Sequence, residues 1–263
     1  MQLRRVRCSW AVDKLKLVTD YVYASGGARK KYLRTGAAYI DPFCSSGRSL
    51  IRGTNNFIDG SPIAAFKRAA QSAGRFTSID ISDGDEELLV AATKRLTALS
   101  APVRPVAGPA SEAIPKIVRN LDQYGLHLAF LDPYNLAALS FDLFEDLAKL
   151  KHVDVIAHVS VSDLQRNADR YADEDYEQFD RFAPGWRGKV STDVSKAAFR
   201  AAILKYWRDK VTALGLPQAR HWELIRGHQG QRLYWLILLA RHDLAHDLWA
   251  KVSSAAKSPT FDF

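Results

Sequence analysis

Apolar residues in this chain gather in runs of strand length, and most neighbouring runs are separated by stretches with helical spacing. Runs at 38–43, 75–80, 103–107, 126–131 and 153–159 alternate with helical segments at about 61–72, 84–99, 111–122 and 141–150. Short continuous apolar runs suit strands buried on both faces, and their alternation with helices gives βαβ units. Right-handed crossovers then force one parallel sheet covered on both sides. Upstream, residues 12–35 read as helical, with Leu15, Leu17, Val18, Tyr21 and Val22 on one stripe and a break at Ser25-Gly26-Gly27. The end of the chain departs from the alternation. A helix at about 195–214 leads to runs at 220–226 and 232–240, and the short connection between these two runs makes them an antiparallel hairpin.

The expected fold class is therefore α/β and Rossmann-like, a seven-stranded, mostly parallel sheet with a C-terminal antiparallel hairpin. Residues 1–37 form a helical extension and 38–263 the main domain. An insertion at about 162–194 carries Tyr171, Tyr176 and Phe179 among charges; it reads either as a substrate-contacting element or as a solvated helical excursion. Residues 48–60 are expected to be an extended loop, ending at Gly60-Ser61-Pro62, where the serine caps the next helix.

Two of the apolar runs end on an aspartate. Tyr39-Ile40-Asp41 opens into Pro42-Phe43-Cys44-Ser45-Ser46-Gly47, and Leu128-Ala129-Phe130-Leu131-Asp132 opens into Pro133-Tyr134. In an open α/β sheet the carboxyl ends of the strands form the rim where ligands bind. Small residues in the first turn let backbone N–H groups approach a ligand. Asp41, Phe43, Ser45 and Gly47 are thus candidate cofactor-binding residues. Asp80 and Ile81 join them, because an acid ending the second strand can accept ribose hydroxyls. Asp132, Pro133 and Tyr134 are candidate catalytic residues: a carboxylate and a proline carbonyl accept hydrogen bonds from an exocyclic amine while the aromatic stacks on a base. Each feature also has a plain reading, as a strand-to-helix turn, a strand-end acid or a tight proline turn. The functional reading needs Asp41 and Asp132 to flank one crevice.

Charge sharpens the choice of partner. A formal charge of +8 favours a polyanion, DNA or RNA, over an acidic small substrate. Two cysteines, Cys8 and Cys44, provide no disulfide framework, so a reducing cytoplasm is the expected compartment and Cys44 a buried thiol. The basic start is followed by no apolar signal region, and the longest apolar stretch, Leu233 to Ala240, is too short for a bilayer. His242 and His246 lack the acidic partner of a metal motif, so no metal site is expected. Trp10, near Lys14 and Lys16, reads as a packing anchor or as part of a helix closing over a cofactor. The basic loop 226–232 reads as a phosphate contact or a solvated turn.

The pairing of a D-x-F-x-x-x-G turn with a later D-P-Y resembles S-adenosylmethionine-dependent methyltransferases that act on nucleobases. With Trp10/Lys14, Asp41-Pro42-Phe43, Gly60-Ser61-Pro62, Asp132-Pro133-Tyr134 and the run from Arg232 to Ala240 ending in Leu248-Trp249, the chain resembles the bacterial three-Cys-motif partner (TcmP) proteins over nearly its whole length. That resemblance implies a Rossmann-like methyltransferase fold, S-adenosylmethionine as cofactor, and a partner protein of the three-Cys-motif family. It leaves two functions open: methyl transfer to an amino group of a nucleic-acid base, or a catalytically inactive module binding nucleic acid or a partner enzyme. A nicotinamide enzyme fits less well, because the chain has no G-x-G-x-x-G.

Overall fold

The computed structural model describes residues 5–6, 9–51, 55–173, 176–220, 222–226 and 230–257. Its main sheet has seven strands: β1 (Ala38–Asp41), β2 (Ser78–Ile81), β3 (Val103–Pro105), β4 (Leu126–Leu131), β5 (His152–Val159), β6 (Glu223–Arg226) and β7 (Arg232–Ala240). Their order is β3-β2-β1-β4-β5-β7-β6. Only β7 runs against its neighbours, pairing antiparallel with both β5 and β6. The expected architecture is present, terminal hairpin included.

The period of two along each strand sorts side chains into two cores. Tyr39, Ile79, Ile81, Leu128, Phe130, Ile156 and Leu238 face one side. They meet α1 (Ser9–Ala24), α3 (Ser61–Ala70), α4 (Glu86–Ala98) and α10 (Asp243–Lys257). Ile40, Ala129, Leu131, Val155 and Ile237 face the other side, against α5 (Ala110–Arg119), α6 (Asp142–Leu147) and α9 (Lys196–Ala213). Among the described residues no helix is long and apolar enough to cross a membrane.

The N-terminal helical region is divided. α1 stops at Ala24, a short α2 (Gly26–Lys30) follows, and turns replace helix after Lys30. Arg29 joins these pieces to the neighbouring loop: it is 1% exposed, donates to Val22 O, Gly74 O and Ser25 Oγ, and lies over the Phe76 ring. Burial lowers its guanidinium to about 10.

Two expectations are corrected. Residues 48–60 are no plain loop: Arg48–Ile51 pairs antiparallel with Phe57–Asp59, and Arg5–Val6 adds a parallel strand to the same small sheet. Strands of three or four residues are too short to show alternation. The 162–194 insertion is no solvated excursion. After α7 (Val161–Arg166) and α8 (Ala168–Ala172), its Tyr171, Phe179, Phe182 and Trp186 are buried in the core shared with α9. Phe182 stacks on Trp207 with ring centroids 5.3 Å apart. Its aromatics, interleaved with charges, are the residues that fold it inward.

Candidate functional site

A cavity of about 970 Å³ opens at the carboxyl ends of β1, β2 and β4. Phe43 and Ser45 line it from the turn after β1, Asp83 and Asp85 from the loop after β2, and Pro109 and Ser111 from the region after β3. Asp132, Tyr134, Ala138 and Asp142 close it from the β4 side, and Arg181 reaches in from the insertion.

The turn after β1 is tight for an identifiable reason. Ser45 and Gly47 both take left-handed backbone conformations, with φ of 51° and 68°. Gly60 lies against Gly47 so closely that a Cβ there would sit 2.6 Å from the Gly47 carbonyl carbon. Cys44 is buried beneath the turn, and burial pushes its thiol far above the range in which thiolate forms. The turn is tied to the loop after β2 twice: Cys44 N–H donates to Ser82 O, and Ser45 N–H donates to Asp83 Oδ2 at 2.9 Å.

The expected cofactor residues separate into two groups. Phe43 and Ser45 line the cavity. Asp41, Gly47, Ile81 and Asp80 do not. Asp41 shares the face of Tyr39, so its fully buried carboxylate turns under the first turn of α3. There it accepts from Ser61 Oγ at 2.5 Å and from Phe43 N–H at 3.2 Å. This corrects the capping assignment: Gly60 is the cap residue, and the Ser61 hydroxyl serves Asp41. Burial raises the Asp41 carboxyl to about 7; the Ser61 hydrogen bond opposes that rise and the charge of Asp132 adds to it. Asp80 sits on the opposite face of β2, 2% exposed, where it accepts from Ser78 Oγ at 2.7 Å and pairs with Arg104 at 2.8 Å. The acids that reach the cavity from beyond the second strand are Asp83 and Asp85, in the loop that follows it, at positions with no strand signal of their own.

At β4 the expected triplet stays together. Asp132 lines the cavity, Pro133 is buried, and Tyr134 is 76% exposed at the rim. Asp132 carries two partners that its own motif does not predict. Lys14 Nζ of α1 lies 2.6 Å from Oδ2, and His158 Nδ1 of β5 donates to Oδ1 at 2.7 Å. Burial alone would raise this carboxyl, but Lys14 and His158 overcome it and hold the group well below the usual carboxylate range. The expected crevice between Asp41 and Asp132 is therefore only half present: Asp132 faces the cavity and Asp41 lies below its floor. The Trp10 side chain and residues 227–229 of the basic hairpin loop lie outside the described residues.

The rim is acidic although the chain is basic. Asp83, Asp85, Asp132 and Asp142 face one cation, Arg181, among the lining groups. A positively charged ligand is thus favoured inside, and phosphate is disfavoured.

No protein-family model matches the chain, and no curated protein matches it in sequence. Solved structures do share its fold. Protein LPL1258 from Legionella pneumophila is similar with a TM-score of 0.53 at 8% identity, over 90% of this chain and 91% of that one. The O-methyltransferase TomG from Streptomyces achromogenes, solved in complex with SAM, gives 0.48 at 14% identity over 88% and 79%. The METTL16 MTase domain gives 0.43 at 13% identity over 86% and 67%. At 8% identity the likeness to LPL1258 is one of fold alone. The strand order and the reversed β7 are those of the Rossmann-like α/β sheet with a terminal antiparallel hairpin that the sequence predicts.

Proposed function

We propose that the chain is an S-adenosylmethionine-dependent methyltransferase acting on an amino group of a nucleic-acid base, in DNA or RNA. The observation that carries this reading is one cavity at the strand ends with Ser45 and Asp83 on one side and Asp132 and the exposed Tyr134 on the other. Its volume of about 970 Å³ suits a cofactor and part of a substrate. Its acidic rim suits a ligand carrying a sulfonium and an ammonium. The motif order shared with the three-Cys-motif partner proteins supports the same reading and adds a protein of that family as a candidate partner.

When bound, S-adenosylmethionine supplies an activated methyl group. The protein's task is then to place the acceptor. Asp83 takes the ribose role first expected of Asp80: both of its oxygens accept backbone N–H groups, from Ser45 and Asp85, and each retains a second lone pair for a hydroxyl. Phe43 and Ser45 flank the methionine portion, while Asp41, Gly47 and Ile81 shape the turn and strand end from below. Tyr134 offers a face for a flipped base, and Asp132 with the Pro133 carbonyl orients the amine. The overall charge of +8 draws nucleic acid to the protein, while the acidic rim admits an uncharged base and turns phosphates outward.

Calorimetry with S-adenosylmethionine tests the cofactor half, with tight binding expected for wild type. A labelled-methyl transfer assay on DNA and RNA pools tests the acceptor half. Salt-sensitive nucleic-acid binding without donor binding would overturn the enzymatic reading in favour of a binding module.

A further inference from the structure

The N-terminal helix reaches the cavity through a contact between residues 118 positions apart in sequence. Lys14 projects from α1 with its side chain only 11% exposed and meets Asp132 Oδ2. On the far side of the same carboxylate stands His158, 13% exposed. The Tyr234 ring of β7 backs both groups, 3.9 Å from the His158 ring and 5.6 Å from Lys14 Nζ. The cluster is thus assembled from α1, β4, β5 and β7. It is also linked to the donor side, because the backbone just before α1, Arg5–Val6, pairs with the strand that follows the Ser45–Gly47 turn.

The cluster does more than solvate a buried aspartate. A cation on one oxygen and an imidazole on the other fix both at once, which sets the carboxylate plane as well as its charge. We propose that Lys14 and His158 are positioning residues: they clamp Asp132 from two sides so that its cavity-facing lone pairs meet the acceptor amine, and they make α1 a working part of the acceptor site. The inference rests on the methyl-transfer reading of this cavity and extends it to the N-terminal helix. A clamped, weakly basic carboxylate orients an N–H group without removing its proton before transfer, which suits an acceptor that is nucleophilic while neutral; the methylated nitrogen then carries the sulfonium's positive charge and loses its extra proton to solvent. Among the described residues the other groups acting on Asp132 include Asp41 and the phenol of Tyr39 from β1 and the phenol of Tyr234 from β7; none of these supplies a positive charge in place of Lys14.

The test follows the Asp132 carboxyl directly, by carbon NMR of side-chain-labelled aspartate, with Asp132→Asn assigning the signal. In wild type this group is expected to remain ionised into the acid range. In Lys14→Met it should titrate about one to three pH units higher, and Lys14→Arg should restore most of the difference. His158→Asn gives a second, independent variant, and melting curves show that each protein is folded. In parallel, the acid limb of the pH–rate profile for methyl transfer to the nucleic-acid pool should rise with the titration. In Lys14→Met kcat should fall about tenfold or more, while KM for the donor stays within about twofold. An unchanged Asp132 titration in both variants overturns the clamp, and so does a shifted titration with unchanged kcat. Failure of wild type to bind the donor overturns the methyl-transfer reading instead, and the NMR titration still decides whether the clamp exists.

Discussion

The Ser61 hydroxyl donates to Asp41 Oδ2 at 2.5 Å, which locks the first turn of α3 to the end of β1 beneath the cavity floor. The pair has a stability signature. Burial raises the folded-state carboxyl of Asp41 from the usual 3.8 to about 7. Between these values the folded protein holds a proton that the unfolded chain has released, so this group's contribution to stability declines as pH rises from about 4 to about 7. Urea unfolding at pH 5, 6, 7 and 8 should show this decline in wild type. It should become shallower in Asp41→Asn, the remainder belonging to the buried carboxyl of Asp154, raised to about 6; an undiminished slope in that variant would exclude Asp41 as a source.

Asp83 and Asp80 are expected to behave as opposites. Asp83→Ala should weaken S-adenosylmethionine binding about tenfold or more, the loss of hydrogen bonds to a charged acceptor. It should lower thermal stability little beyond loosening the Ser45 turn. Arg104→Ala leaves the Asp80 carboxylate, 3% exposed, without its cation; because the Arg104 side chain is 44% exposed and water can take its place, the loss of stability should be about 1–2 kcal/mol, while donor affinity stays within about twofold. Calorimetry and denaturant titration on the two variants separate the roles; equal loss of donor binding in both would return the ribose role to Asp80.

Tyr134 tests the acceptor side. With 76% of its surface exposed, it carries little of the core, and Tyr134→Ala should change stability by under about 0.5 kcal/mol. If it stacks on a base, the same substitution removes about 1–3 kcal/mol of nucleic-acid affinity. Fluorescence anisotropy with single-stranded oligonucleotides reads this, with Tyr134→Phe retaining wild-type affinity.

Gly60 tests the turn without touching a ligand. A methyl group at this position would collide with the Gly47 backbone at 2.6–2.9 Å, where no flexible side chain can yield. Gly60→Ala should shift the Ser45–Gly47 segment, lower the melting temperature by several degrees and reduce donor affinity more than Asp41→Asn does. A crystal structure of the variant with an unmoved turn would show that this contact is not limiting.

The insertion should prove structural. Trp186 is 1% exposed and packs edge-on against Phe199 of α9, so Trp186→Ala should cost about 3–5 kcal/mol. Calorimetric unfolding as one transition, shifted down in the variant, is the expected result. Two separate transitions would mean that the insertion folds independently.

The layout of the sheet was legible in the sequence because its strands are continuous apolar runs, and the hairpin because five residues cannot make a crossover. The acids were less legible. Asp41, Asp80 and Asp132 all end or interrupt apolar runs; parity sets Asp80 apart, toward Arg104, but Asp41 and Asp132 share one parity, and packing alone turns Asp41 under α3 and leaves Asp132 in the cavity. The parity of β5 held an unused signal: His158 falls on the face of Ile156 and Asp154, and Asp154 receives the Tyr21 hydroxyl of α1 at 2.7 Å. That register places His158 on the α1 side, where Lys14 arrives. The Lys14–Asp132 contact itself, and the arrival of Asp83 in the cavity, depend on how distant segments pack, and no local pattern encodes them.

The ring of aspartates around the cavity has a consequence for turnover. On the methyl-transfer reading, the ligand that enters carries a sulfonium and an ammonium, and the one that departs keeps only the ammonium. The sulfonium's charge passes to the methylated nitrogen and leaves as a proton, so the rim then holds a by-product with one positive group fewer. The by-product should therefore bind more weakly than the donor and exchange for it.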